Sequence, residues 1–167
     1  AVGGYTPERR LSELAIAHHV NCLAPDVALS ASPFEGMHDL AVPLLPERGC
    51  SLPIASIFYD AIPLRYKETY LKDDLLSNYY HRRLNAYSGF DDNLCISAFS
   101  QSELQSFLPG AKAGSIAAGV SRNVSENAKC VSGDHFDLGA FVLYVGALDW
   151  RKNIGALVRA FGYIDQV

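Results

Sequence analysis

Short apolar runs, each closed by a turn residue and separated by segments of helical spacing, constrain this chain more than any other feature. The runs are Val27–Ala31, Pro53–Phe58, Asn93–Ser97, Ser115–Ala118 and Phe141–Val145. Runs this short, without strict polar alternation, read as strands apolar on both faces. Between them lie helical patterns over residues 8–23, 66–87 and 100–108, and after the last run Ile154, Leu157, Val158, Phe161 and Ile164 recur at helical spacing. Strands alternating with helices predict an α/β fold, a Rossmann-like parallel sheet with helices on both faces.

Local signals sharpen the boundaries. Thr6-Pro7 starts the first helix, with Leu11, Leu14, Ala15, His18 and Cys22 as its apolar face, and Ala24-Pro25-Asp26 breaks it. The helical stretch 66–87 has a candidate break at Asp73-Asp74 and is rich in Tyr and Arg (Tyr79, Tyr80, Arg82, Arg83, Tyr87). Such side chains either contact a membrane surface, an acceptor lipid or another protein, or cover apolar surface with their stems. Ser100 and Glu103 have capping-box spacing, which starts a helix there. Residues 121–139 are polar and aperiodic, as in a linker.

Bulk properties exclude several classes. The net charge is −4, with no Lys/Arg cluster beyond pairs, which argues against nucleic acid as a partner. No run approaches the roughly 18 apolar residues of a membrane span. The four cysteines, Cys22, Cys50, Cys95 and Cys130, show no C-x-x-C pair, so neither a zinc site nor a disulfide framework is expected. Cys22 and Cys95 sit among apolar residues and read as small core residues, and a reducing cytoplasmic setting fits best. The triplet Asn123-Val124-Ser125 matters only in a secretory compartment. His18 and His19 are adjacent on a helix and point about 100° apart, and His38, His81 and His135 lack metal-ligand spacing. No D-x-D pair is present, and no metal is expected; Asp73-Asp74 and Asp91-Asp92 read as turn or helix-start charges.

In parallel sheets, ligands bind beyond the carboxyl ends of the strands. That rule selects Ser32, Glu35, Tyr59, Asp60, Ser97, Gly119 and Gly146 with the basic loop after it. Asp60 follows a strand and precedes Ile62-Pro63; it reads either as an acid/base or hydroxyl-binding carboxylate or as a turn cap. Glu35 beside Gly36 is either such a carboxylate or a helix-start charge. Ser97 lacks the G-x-S-x-G context of a nucleophile, so a helix-capping hydroxyl is the better reading. Gly146, Arg151 and Lys152 form a turn that either presents N–H groups and cations to a phosphate or is an ordinary strand-loop-helix with a solvated basic pair.

Several segments together resemble one family. FVLYVGALDWRKNI from Phe141 resembles the start of the second domain of retaining GT-B glycosyltransferases of family 4. YDAIPL from Tyr59, with Tyr70-Leu71, resembles a segment of their mannosyltransferase-like branch. ISAFS from Ile96 is similar to a strand-to-helix turn of the family, SPFEG from Ser32 to the branch's S-x-F-E-G loop, and AGV from Ala118 to the strand end before the domain linker. The order and spacing match over nearly the whole chain.

The resemblance implies a metal-independent enzyme, two Rossmann-like domains facing a cleft, that transfers a hexose from a nucleotide sugar with retention. It implies no cofactor; the nucleotide sugar, GDP-mannose by branch resemblance, is a co-substrate, and the acceptor is a glycan or lipid-linked. Lys152 matches the phosphate-contacting lysine, with Gly146 and Arg151 beside it, while Asp60 and Glu35 match acceptor-side positions and Ser32, Tyr59, Ser97 and Gly119 line that side of the cleft. Ala147 stands where many relatives carry a second phosphate-contacting arginine, and Tyr59 where many carry histidine. The family's first strand and glycine-rich loop would precede Ala1, and its glutamate pair would follow Val167. The expected organisation is therefore an incomplete GT-B: residues 1–119 a partial acceptor domain, 120–139 a linker, and 140–167 the first βα unit of the donor domain, inactive in isolation. The implied setting is cytoplasmic, at the inner face of a membrane, with peripheral membrane contact and pairing of chains through an exposed sheet edge. The alternatives are a GT-B-like sugar-nucleotide epimerase, or a binding module in which residues 140–164 join the first sheet.

Overall fold

The structure is a computed structural model that describes residues 6–37, 39–116 and 141–164. The chain divides into two compact units, Ala1–Arg122 and Asn123–Val167.

The first unit is an α/β fold built on a four-stranded, all-parallel sheet with interleaved helices, Rossmann-like in topology. Helix α1 spans Pro7–Leu23; Thr6 caps it, its hydroxyl accepting from the Arg9 N–H at 3.2 Å, and Ala24 ends it in the left-handed region at φ 46°. Strand β1 is Ala28–Ser30, and a 3-10 turn at Pro46–Arg48 follows it. Strand β2, Ile54–Phe58, leads into three helices, α2 (Ile62–Arg65), α3 (Lys67–Tyr70) and α4 (Asp74–Ala86). Strand β3 (Asp92–Cys95), helix α5 (Ala98–Phe107) and strand β4 (Ala113–Ser115) complete the unit. The sheet order is β1-β2-β3-β4, with Ser30 level with Ser56, Phe58 with Cys95, and Cys95 with Ser115.

Several boundaries differ from expectation, each for a local reason. The stretch 66–87 breaks where expected: Asp73 is the cap of α4, accepting from the Leu76 N–H at 2.7 Å. Helix α5 starts at Ala98, not Ser100, because Ser97 takes the cap position and accepts from the Ser100 N–H at 3.1 Å. Ser100 and Glu103 are thereby buried inside the helix, and no capping box forms. Strand β4 begins two residues before the apolar run, because the ladder to β3 pairs Asn93 with Ala113; apolarity does not encode register. The end of the expected run, Ala117 and Ala118, lies outside the described residues.

The inward face of α1 also differs. Glu13 and Ala17 are buried with Ile16 and Val20 beside them, whereas Leu11 is 68% exposed, Leu14 is exposed, and Cys22 is exposed rather than core. The reason is an ion cluster. The Glu13 carboxylate accepts from Arg83 and Arg48, both at 2.9 Å, with Arg9 at 3.9 Å. This ties α1 to α4 and to the 3-10 turn, and rotates α1 so that Glu13 faces inward. Arg83 is fully buried and lies 5.0 Å from the Tyr79 ring centroid, so it is an internal charge rather than a stem with a solvated head.

The core gathers Phe58, Tyr87, Phe90, Leu84, Leu104 and Cys95. Tyr87 packs edge-on to Phe58 at 5.2 Å, and its hydroxyl donates to the Ile57 carbonyl. Polar groups in the sheet are satisfied: the Ser56 hydroxyl donates to Asn93 at 2.6 Å, and the Asn93 amide donates to the Tyr87 and Lys112 carbonyls. Asp91 accepts from the Ile54 N–H at 2.8 Å, fixing the entry of β2 against β3. The two sheet faces are not closed equally: Ile54, Ser56 and Phe58 are buried, while Ala55 and Ile57 are half-buried and Leu29 is exposed.

The second unit contains a 3-10 turn, Trp150–Lys152, and helix α6, Ile154–Ile164. Phe141–Val145 is not a strand, in correction of the sequence expectation. A parallel strand exists only through neighbours that pair with it, and among the described residues none pairs with this run. Its side chains stay largely exposed, Val145 to 84%. No helix among the described residues is long and apolar enough to cross a membrane.

Candidate functional site

Parallel pairing brings the ends of β1, β2 and β3 to one edge. Beyond β1, the loop Ser32–Gly36 is pinned from outside. Arg9 donates to the Gly36 carbonyl and, at 2.8 Å, to the Ala41 carbonyl, and the Tyr79 hydroxyl donates to the Glu35 carbonyl at 2.5 Å. Gly36 has φ +96° and is buried; a Cβ there would lie 2.5 Å from the Ala41 carbonyl oxygen, so only glycine fits. Ser32 donates to the Glu35 carboxylate at 3.0 Å, so the two predicted residues engage each other.

Beyond β2, Asp60 performs the turn-cap role: its Oδ1 accepts from the Ile62 N–H at 3.0 Å. The same loop is held from below by Glu103, which accepts from the Ala61 N–H and from Arg65. The Tyr59 carbonyl accepts from the Ser100 hydroxyl at 2.7 Å, which orders the turn from β2 against α5. Ser97 serves as the α5 cap, and among the described residues it is no part of a nucleophile arrangement. Gly119 lies outside the described residues, as do His38, Cys130, His135 and the 120–139 segment.

A cavity of about 290 Å³ opens at this edge. Tyr59 and Asp60 line it together with Phe34 and Met37 from the first loop and Tyr79 and Tyr80 from α4. Ser32, Glu35 and Ser97 do not line it. Phe34 stacks on Tyr80 at 4.7 Å between centroids, which fixes one wall. Tyr80 is 8% exposed, and its hydroxyl has no hydrogen-bond partner among the described residues. Burial first, then the Asp60 and Glu103 carboxylates, push the Tyr80 hydroxyl far above the usual phenol range, so it remains a proton donor. Sequence reasoning marked the tyrosine-rich helix but did not place Tyr80 in the site. The signal was present in the Tyr79-Tyr80 doublet at the border between the buried and exposed faces of α4.

The basic loop of the second unit is built differently from a free cation pair. Asp149 caps the 3-10 turn and holds Arg151 bidentately, at 2.9 Å for both bonds. Arg151 therefore has its charge engaged, whereas Lys152 is exposed and makes no ion pair among the described residues. Asn153, left-handed at φ 49°, passes the chain into α6, and a cavity of about 290 Å³ lined by Asp149, Trp150, Asn153 and Gly155 opens at that helix start. Gly146 lies against Tyr144, whose hydroxyl would come within 2.6 Å of a Cβ at that position. Among the described residues no cluster of His, Cys, Asp and Glu has the geometry of a metal site.

No protein-family model matches the chain, and no solved structure matches it. Curated relatives are found among bacterial enzymes. Two proteins described as serotype-specific mannosyltransferase WbdA from Escherichia coli are 28% identical over 163 residues, and a third of the same description is 24% identical over 160. The alignments cover 91% of this chain but 19% of each relative, so the chain spans about a fifth of their length. The chain is thus distantly similar to a mannosyltransferase over a small part of that protein.

Proposed function

We propose that this chain is the acceptor-side region of a retaining glycosyltransferase, joined to the opening loop and helix of its nucleotide-sugar domain. The reading rests on Asp60, set in an aromatic-lined cavity at the carboxyl edge of a parallel sheet, in a chain similar along most of its length to mannosyltransferases. The donor is a nucleotide sugar, GDP-mannose by the resemblance of the YDAIPL segment to the mannosyltransferase-like branch, and the acceptor is a glycan or lipid-linked glycan presented at a membrane surface.

In the reaction, the bond between the anomeric carbon and the diphosphate breaks, and a bond to an acceptor oxygen forms on the same face of the sugar. The diphosphate takes the electron pair, and its charge is met by Lys152 and by the N–H groups that start α6. Asp60 hydrogen-bonds the acceptor hydroxyl, whose proton leaves to the carboxylate or to the departing phosphate. Glu35 acts through the shape of its loop.

The test is sugar transfer by the longest continuous polypeptide that contains this sequence, supplied with radiolabelled GDP-mannose and a mannose-terminated acceptor. Labelled acceptor is expected, with loss on Asp60→Ala, and no transfer is expected from the 167-residue chain alone. Transfer by the short chain would overturn the two-domain reading. An epimerised nucleotide sugar formed without acceptor would replace the transferase by an epimerase.

A further inference from the structure

Two polar residues of α5 are buried without serving the end of that helix. Ser100 and Glu103 are 4% and 5% exposed. Their S-x-x-E spacing is that of a helix cap, but Ser97 holds the cap position, so the pair caps nothing. A buried carboxylate is costly unless it is paired and hydrogen-bonded, so the partners of these two side chains matter.

Both bind backbone on either side of Asp60. The Ser100 hydroxyl donates at 2.7 Å to the Tyr59 carbonyl, which belongs to the peptide unit before the Asp60 Cα. Glu103 Oε2 accepts at 3.4 Å from the Ala61 N–H, which belongs to the peptide unit after it. Peptide units are planar, so only the two backbone dihedrals of Asp60 lie between these anchors. Holding both planes fixes those dihedrals, and with them the direction of the Asp60 Cα–Cβ bond. A single turn of α5 supplies both anchors, because positions i and i+3 share a helix face. Each anchor is itself supported. The Ser100 hydroxyl has one proton and gives it to Tyr59, so in its 3.1 Å contact with Ser97 the Ser97 hydroxyl is the donor. The other Glu103 oxygen accepts from Arg65, whose guanidinium lies 5.2 Å from the Phe99 ring centroid. On the Asp60 carboxylate, Oδ1 is taken by the Ile62 N–H. That leaves Oδ2 as the oxygen for a ligand in the cavity that Asp60 lines.

We propose that Ser100 and Glu103 are positioning residues, a clamp that fixes Asp60 and acts on the chemistry only through it. The catalytic consequence rests on the glycosyltransferase reading; the fixing of Asp60 does not.

Two measurements test the clamp. In the isotope-labelled 167-residue chain, three-bond NMR couplings about the Asp60 Cα–Cβ bond are expected to report one rotamer. They are expected to average in Ser100→Ala and in Glu103→Leu. Glu103→Gln keeps an oxygen for the Ala61 N–H and is expected to retain the single rotamer. Averaging in the unaltered chain, or one rotamer in every variant, would overturn the proposal. Ser100→Ala removes a single oxygen atom and carries the comparison by itself should Glu103→Leu fail to fold. The second measurement uses the longer polypeptide with GDP-mannose and a mannose-terminated acceptor. Ser100→Ala and Glu103→Leu are each expected to lower kcat about tenfold, the effect of one lost hydrogen bond, with the donor KM unchanged. Glu103→Gln is expected to restore kcat. In the residual activity of an Asp60→Asn background the same substitutions are expected to cost nothing further, because residues that act as a unit are not additive. An equal loss in both backgrounds would make the pair merely structural and overturn the proposal, as would an unchanged kcat. No transfer by the unaltered longer polypeptide removes the glycosyltransferase reading, and the rotamer of Asp60 then decides the clamp on its own.

Discussion

Replacing Glu13 by glutamine leaves Arg83 with no formal counter-charge at its 2.9 Å contact, in a site where the two side chains are 0% and 2% exposed. Arg48 loses its partner at 2.9 Å as well, although at 16% exposure it retains some solvent. Removing one member of a buried ion pair costs about 3–5 kcal/mol, most of it the penalty of the orphaned charge. Small domains have a total stability of roughly 5–15 kcal/mol, so Glu13→Gln is expected to consume a large share of it. Urea unfolding followed by circular dichroism at 222 nm would read the loss as a fall in midpoint at constant slope. The double variant Glu13→Leu/Arg83→Met removes both charges at similar volume and should recover at least about 2 kcal/mol relative to Glu13→Gln. A cost below about 1 kcal/mol for Glu13→Gln, or no recovery in the double variant, would refute the view that this cluster is a desolvated keystone between α1 and α4. The cluster also bears on the candidate site, because Arg9 and Tyr79, which hold the Ser32–Gly36 loop, pack against its members.

Other consequences are accessible to simple measurements. Gly36→Ala places a Cβ against the Arg9 guanidinium and the Ala41 carbonyl at a positive φ; a loss of about 1–3 kcal/mol is expected by the same urea assay. Tyr80 and Tyr87 both have hydroxyls pushed well above the phenol value of 10.0, chiefly by burial. Their folded-state contribution is therefore complete below pH 10 and falls above it, by about 1.4 kcal/mol per group per pH unit; tyrosinate absorbance at 295 nm should show part of its amplitude appearing only with cooperative unfolding. Iodoacetamide followed by peptide mapping should modify exposed Cys22 in the native state and Cys95 only after denaturation, since Cys95 is buried and its thiol is pushed up by burial and by Asp92.

The parallel sheet and the alternation of its elements were legible in the sequence, because short apolar runs bounded by Gly, Pro and Asp carry their own punctuation. The same is true of Thr6-Pro7 and Asp73, whose capping hydrogen bonds span only three residues. The positions Tyr59 and Asp60 were legible too, since the carboxyl end of a parallel strand is a place defined by topology alone. What local sequence could not supply was anything set by a distant partner. Glu13 looks like a solvated helix charge until Arg83, seventy positions away, arrives beside it. Glu103 looks like half of a capping box until Arg65 and the Ala61 N–H claim it. The run Phe141–Val145 has the composition of a strand, but a strand is a relation between chains of hydrogen-bonding groups and not a property of one segment. The sequence by itself determined which segments are apolar, where α1 begins and which ends of strands would meet. Only the tertiary structure decided which face of α1 turns inward, which carboxylates are already occupied, and that Tyr80, stacked on Phe34, comes to the cavity beside Asp60, because each of those is fixed by contacts between residues that the chain separates.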